Sequence, residues 1–199
     1  MVKPELKRPY HHGDLREALL DAVGEMVEGD GIESVSIRGA ARRVGVSHPA
    51  AFRHFTDKKD LLTAYATRAA SHMADALEAT AEAAGSGHAF INVGVSYLRF
   101  AMEHPGEFRM IFREELLNGT DEHYQAQMAR LALMLSGSGT AIEPGTALPP
   151  EAILAWSATH GLASLYLDGT LREELPPGQE LDAMTQVLRL LKPSSNTEL

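Results

Sequence analysis

The chain contains no cysteine, which removes disulfide frameworks, thiolate zinc sites, iron–sulfur clusters and cysteine nucleophiles together. Long apolar runs are missing too. The longest are about as short as Ala152 to Trp156, far below the ~20 residues of a membrane-spanning helix, so a soluble chain with no membrane partner is expected. The N-terminus carries Lys3, Lys7 and Arg8 but leads into Gly13-Asp14 instead of an apolar secretory stretch. Residues 1–12 therefore read as a flexible basic arm of a cytoplasmic protein. Catalytic signatures are equally scarce: there is no His-Glu-x-x-His, no Walker phosphate loop, no Gly-x-Ser-x-Gly elbow, no Gly-x-Gly-x-x-Gly and no Glu-x-x-His pair. Nothing argues for an enzyme, a cofactor or a metal, and His11 and His12 read as part of the arm.

What is present is a 199-residue chain, 44% hydrophobic and 23% charged, ample for a buried core in one or two small domains. Its net charge of -9 argues against nucleic acid until it is divided along the chain. Residues 1–62 are neutral overall, and the whole excess of acid lies in residues 63–199. Between residues 34 and 59, Arg38, Arg42, Arg43, Arg53, Lys58 and Lys59 face only Asp57. Because DNA affinity follows local phosphate neutralisation, this concentrated patch is compatible with DNA binding despite the acidic remainder.

Apolar spacing is helical throughout, which predicts an all-α fold. A first helix runs from Asp14 to Glu28 and stops at Gly29 to Gly31. Ser36 is an N-cap for a second over Ile37 to Val44, which Gly45 ends. Ser47 caps a short third helix through Ala50 to Phe55 with Pro49 in its first turn, and Asp57 caps a fourth from Lys58 to about Ala84. Beyond Gly85-Ser86-Gly87 the expected helices are Phe90–Glu103, Pro105–Leu117, Asp121–Leu135, Pro150–Asp168 and Gln179–Lys192, with Ser136–Pro149 a loop and Pro193–Leu199 disordered. The predicted domains are residues 1–62 and residues 63–199, joined by the long fourth helix.

Ser36 to Phe55 is thus two short helices around a Gly45-Val46-Ser47 turn, which is helix-turn-helix architecture. In such a unit the second helix enters the major groove with its N-terminal side chains on the base edges. Gly45-Val46-Ser47, Phe52-Arg53-His54-Phe55, Lys58 and Leu61-Leu62 resemble the DNA-binding domain of the tetracycline-repressor (TetR) family. Tyr10-His11-His12-Gly13-Asp14-Leu15-Arg16 is similar to one branch of it, whose C-terminal domain is named for a Trp, a His and a Gly; Trp156, His160 and Gly161 occupy such a pattern.

The resemblance implies DNA contacts at Ser36, Arg38, Ser47, His48, Ala50, Ala51, Phe52, Arg53, His54 and Lys58. Ser36 would offer a hydroxyl and helix-terminal amides to phosphate, His48 a hydrogen bond to a base, and Ala50 and Ala51 methyl contacts to thymine. Arg38 and Arg53 could meet bases or phosphates, with His54 and Lys58 clamping the backbone. Two positions depart from the family pattern: Phe52 stands where a tyrosine is common, removing a hydroxyl, and Ala40 where a bulky aliphatic is common. With Gly39 costing about 1 kcal/mol against alanine, a marginal second helix is expected. Phe55 reads as core.

In the second half, Tyr97, Phe100, Phe108, Phe112, Met128, Trp156 and His160 are candidates for a small-molecule pocket, and equally for ordinary core. Trp156 and His160, four apart on one helix face, could line the pocket, pack internally or face a partner. The apolar sets Ile153, Leu154, Leu162, Leu165 and Leu181, Met184, Val187, Leu188, Leu191 suit a two-fold four-helix interface, as the resemblance implies, or their own subunit's core. The expectation is a homodimeric, ligand-responsive repressor on palindromic double-stranded operator DNA, released by a small apolar or amphipathic effector. The competing expectation is a helical ligand-binding or protein-interaction module without specific DNA readout.

Overall fold

A computed structural model of the chain describes residues 15–84, 89–136 and 148–191; the expectations for the arm, the Gly85-Ser86-Gly87 break, most of the Ser136–Pro149 loop and the C-terminal tail lie outside the described residues. Among these the fold is all-α, with helices α1 (Leu15–Asp30), α2 (Ile37–Val44), α3 (His48–Ala51), α4 (Lys58–Ala84), α5 (Ala89–Glu103), α6 (Pro105–Ile111), α7 (Glu122–Ser136), α8 (Pro150–Leu167) and α9 (Glu180–Leu190). No helix among them is long and apolar enough to cross a membrane.

The helix ends follow from local chemistry. Ser36 Oγ accepts from the Gly39 amide at 3.0 Å, and Gly45 closes α2 at φ +79°, in the left-handed region. Asp57 accepts from the Asp60 amide at 2.8 Å while Asp60 accepts from the Thr56 amide at 2.8 Å, so the start of α4 is capped reciprocally. Two expected helices are shorter than their sequences suggested. The third is a single turn: after Ala51 the chain continues as turns through His54, and its start is held by the Ser47 carbonyl, which accepts from Ala50 and Ala51, with no side-chain cap from Ser47. The helix expected from Pro105 to Leu117 stops at Ile111, and a 3-10 turn over Glu114–Leu116 follows.

Gly39 has a packing reason. A Cβ there would come within 2.7 Å of Met26 Cε and 3.0 Å of Ser36 Oγ, so the glycine lets α1 lie against α2 without disturbing the cap.

Two apolar cores meet along α4. The first joins Leu19, Val23, Ile37, Ala40, Phe55, Leu61 and Tyr65 and reaches past residue 62 to Met110, Leu117 and Tyr124. The second gathers Met73, Leu77, Tyr97, Leu98, Phe108, Ile111, Met184 and Leu188. Polar pins hold the later helices to this spine: Arg130 of α7 pairs with Asp75 (2.8 Å) and Glu78 (2.6 Å) of α4, and buried Thr63 Oγ1 accepts from the Asn118 amide at 2.8 Å. Arg68 of α4 reaches Asp21 of α1 at 2.7 Å.

Candidate functional site

The segment from Ser36 to Lys58 spans α2, α3 and the turns that flank them. Ser36, Arg38, Ser47, Phe52 and Arg53 are exposed, and His48, Ala50, His54 and Lys58 half-buried. Arg38 Nε donates to His48 Nε2 at 3.2 Å, linking α2 to α3. His48 in turn meets Phe52 edge-to-face, ring centroids 4.3 Å apart. Phe52 is 41% exposed. Lys58 Nζ donates to the Glu33 carbonyl at 3.1 Å and keeps further N–H groups for an anion.

One expected base contact is corrected. Ala51 is fully buried, because the one-turn helix rotates its Cβ into the core beside Phe55 and Ala41, and a buried methyl cannot meet thymine. Phe55 is core, as its apolar character suggested. The cationic patch also divides: Arg43 is held by Asp30 at 2.7 Å and Glu25 at 3.6 Å, whereas Arg42, Arg53 and Lys59 have no ion pair among the described residues. Arg42 and Arg53, like Arg38, are exposed.

The C-terminal candidates fall into three places. Tyr97, Phe108, Phe112 and His160 converge: Tyr97 Oη and His160 Nδ1 are 2.7 Å apart, Phe108 stacks on His160 at 5.5 Å, and Phe112 meets it edge-on at 4.6 Å. Burial pushes the Tyr97 hydroxyl well above its ordinary range, the Trp156 indole opposing this weakly, and burial holds His160 below the ordinary imidazole value. The pair is thus uncharged at neutral pH. Trp156 interacts with the same hydroxyl, but its buried Nε1 finds no acceptor at hydrogen-bond geometry. Phe100 lies elsewhere, packed against His72 (5.1 Å) and His104 (4.9 Å). Met128 sits between the two apolar cores.

The interface candidates also separate. Met184 and Leu188 are buried in their own subunit, and Leu162, Leu181 and Leu191 pack half-buried against the same core. Ile153, Leu154, Leu165, Val187 and Leu190 are exposed at 48%, 58%, 47%, 42% and 84%. With Phe52 they are the large exposed apolar side chains among the described residues.

Residues 19–65 match the model of bacterial regulatory proteins of the tetR family, and residues 90–188 match that of the tetracyclin repressor-like C-terminal domain. The two together span nearly three quarters of the chain. A curated relative, an uncharacterized HTH-type transcriptional regulator of Mycobacterium tuberculosis, is 24% identical over 160 residues, covering 78% of this chain and 72% of its own. Among solved structures, a protein of unknown function from Rhodococcus sp. RHA1 superposes with a TM-score of 0.70 at 29% identity over 92% of this chain and 97% of its own. A TetR family transcription regulator from Marinobacter aquaeolei VT8 shares the fold with a TM-score of 0.64 at 17% identity over 90% and 95% of the two chains. A helix-turn-helix unit with an exposed basic face, set by a long helix on an all-helical second domain, and family matches in both halves lead to one conclusion: the chain belongs to the TetR family of DNA-binding transcriptional regulators, which are not enzymes.

Proposed function

We propose that this regulator is a cytoplasmic, homodimeric repressor that binds a palindromic operator and leaves it when a small apolar or amphipathic molecule enters the C-terminal domain. The observation that carries the reading is the face built by Arg38, His48, Phe52 and Arg53, where a hydrogen bond and a ring contact hold base-reading side chains together at the start of α3. Ser36, Ser47, Ala50, His54 and Lys58 border that face and serve phosphate and groove contacts. One turn of recognition helix reads few bases, so two copies on half-sites about 34 Å apart are needed for a specific address.

The effector site is placed at Tyr97, Phe108, Phe112, Trp156 and His160. An amphipathic ligand there offers an acceptor to the buried Trp156 Nε1, which meets only the Tyr97 hydroxyl and not at hydrogen-bond geometry, and covers its own apolar part with the rings. Trp156, His160 and Gly161 support the branch named for those three residues. Helix α6 is the coupling element: it carries Phe108 to the cluster and ends at Phe112, its C-cap residue, while its Gly106 sits so close to α1 that a Cβ would lie 3.0 Å from Val27. Displacing the rings shifts α6 against α1 and hence the helix-turn-helix unit. By linkage, operator DNA weakens effector binding by the factor by which effector weakens operator binding.

The test is enrichment of random duplex DNA by the full chain at near-physiological salt, where nonspecific charge binding is suppressed. An inverted repeat is the expected product. On that repeat Arg38→Ala should lose ~1–3 kcal/mol of affinity and tolerate substitution at one base pair per half-site, with little change on scrambled DNA. Failure to enrich any sequence, or equal losses on repeat and scrambled DNA, would remove the proposed readout.

A further inference from the structure

The seam between α4 and α6 gathers three metal-ligating side chains that neither the DNA-binding face nor the aromatic cluster uses. His104 caps α6 and Glu107 lies three residues later, so both fall on one side of the helix start, and α4 supplies His72 opposite them. His72 Nδ1 lies 2.8 Å from Glu107 Oε2, the two imidazole centroids are 4.7 Å apart, and one ligand atom from each of the three residues lies within 4.8 Å of the others. Phe100 packs on both imidazoles, at 5.1 Å and 4.9 Å.

Two imidazole nitrogens and one carboxylate oxygen are the donor set of first-row divalent metals, with too few oxygens for calcium or magnesium. Tetrahedral zinc with bonds of about 2.0–2.2 Å sets its ligand atoms about 3.3 Å apart; here one pair stands at 2.8 Å and all three donors lie within 4.8 Å. His72 is exposed, which leaves a fourth position open to water. A hydrogen bond from His72 to Glu107 accounts for two of these residues. It gives no reason for the third donor to converge on them.

We propose that His72, His104 and Glu107 form a site for a divalent transition metal of the zinc class, tying α6 to α4 beside α1. The inference is independent of the operator and effector reading above. The experiment is competition of the full chain against a chromophoric zinc chelator, followed by the visible spectrum with Co²⁺ as probe. One Zn²⁺ per chain is expected, with tetrahedral cobalt bands. Glu107→Gln, which preserves size and hydrogen bonding, should weaken binding at least about tenfold, and His72→Ala with His104→Ala should abolish it. His11→Ala with His12→Ala should leave it unchanged. The proposal is overturned if the parent chain takes no zinc from the chelator, if a folded His72/His104 double variant binds as the parent does, or if removing His11 and His12 abolishes binding.

Discussion

Arg38 and His48 come from different helices, and the hydrogen bond between them orients both before DNA arrives. Such preorganisation lowers the side-chain entropy lost on binding. Ala50 and Ala51 are neighbours with opposite fates, because successive positions on a helix are separated by about 100° and only one can face out. His160 shows the same dependence on surroundings in its chemistry. Its neighbours Tyr97, Phe108 and Phe112 are all uncharged, so nothing compensates the desolvation that lowers its pKa from 6.5. The unfolded chain takes up a proton there that the folded chain refuses. Stability therefore falls as pH drops below the ordinary imidazole value toward the depressed one. Melting temperatures across that range should fall less steeply in His160→Gln, which keeps a partner for Tyr97 but does not titrate; identical slopes would show that this imidazole is not the group responsible.

At the scale of the element, α2 has only eight residues and depends on its ends. Ser36 satisfies an orphan amide, worth about 1 kcal/mol, and Gly45 turns the chain at φ +79°. An alanine at Gly45 would have to occupy the left-handed region at a cost of about 1–2 kcal/mol. Gly45→Ala should lower the urea midpoint accordingly and weaken operator binding beyond the stability loss, because the turn sets α3 against α2. An unchanged midpoint would mean that the turn relaxes to another conformation. Gly39 is different: the Met26 methyl, the far end of a flexible side chain, is what a Cβ would meet first. A Cβ there is therefore accommodated if the Met26 methyl moves aside, and the tighter constraint is the Ser36 hydroxyl of the cap at 3.0 Å.

For the whole molecule, α4 is the common support of both cores, and with α6 on α1 it is the path along which the proposed coupling would run. The exposed leucines, isoleucine and valine of α8 and α9 are the surface that the proposed dimer would use. Leu154→Asp combined with Leu190→Asp should convert dimer to monomer in sedimentation while changing the stability of each protomer's own core little, since both side chains are exposed at 58% and 84%. Operator affinity should fall with the dimer. If the parent chain sediments as a monomer at operator-binding concentrations, the two-half-site mechanism fails.

Sequence alone determined the all-α class, the caps at Ser36, Gly45 and Asp57, the long α4 and the position of the helix-turn-helix unit, because these rest on periodicity and on interactions within a few residues. It also brought out the local cationic patch, a property of composition. Tertiary structure decided the rest. Whether Ala51 or Phe55 faces DNA, whether Arg43 is available or held by Asp30 and Glu25, and which apolar residues of α8 and α9 remain exposed depend on neighbours distant along the chain. The His104-x-x-Glu107 spacing was readable, in the reverse of the order sought, but its third donor was not. His72 lies more than thirty residues earlier, and only the packing of α6 on α4 brings it within reach.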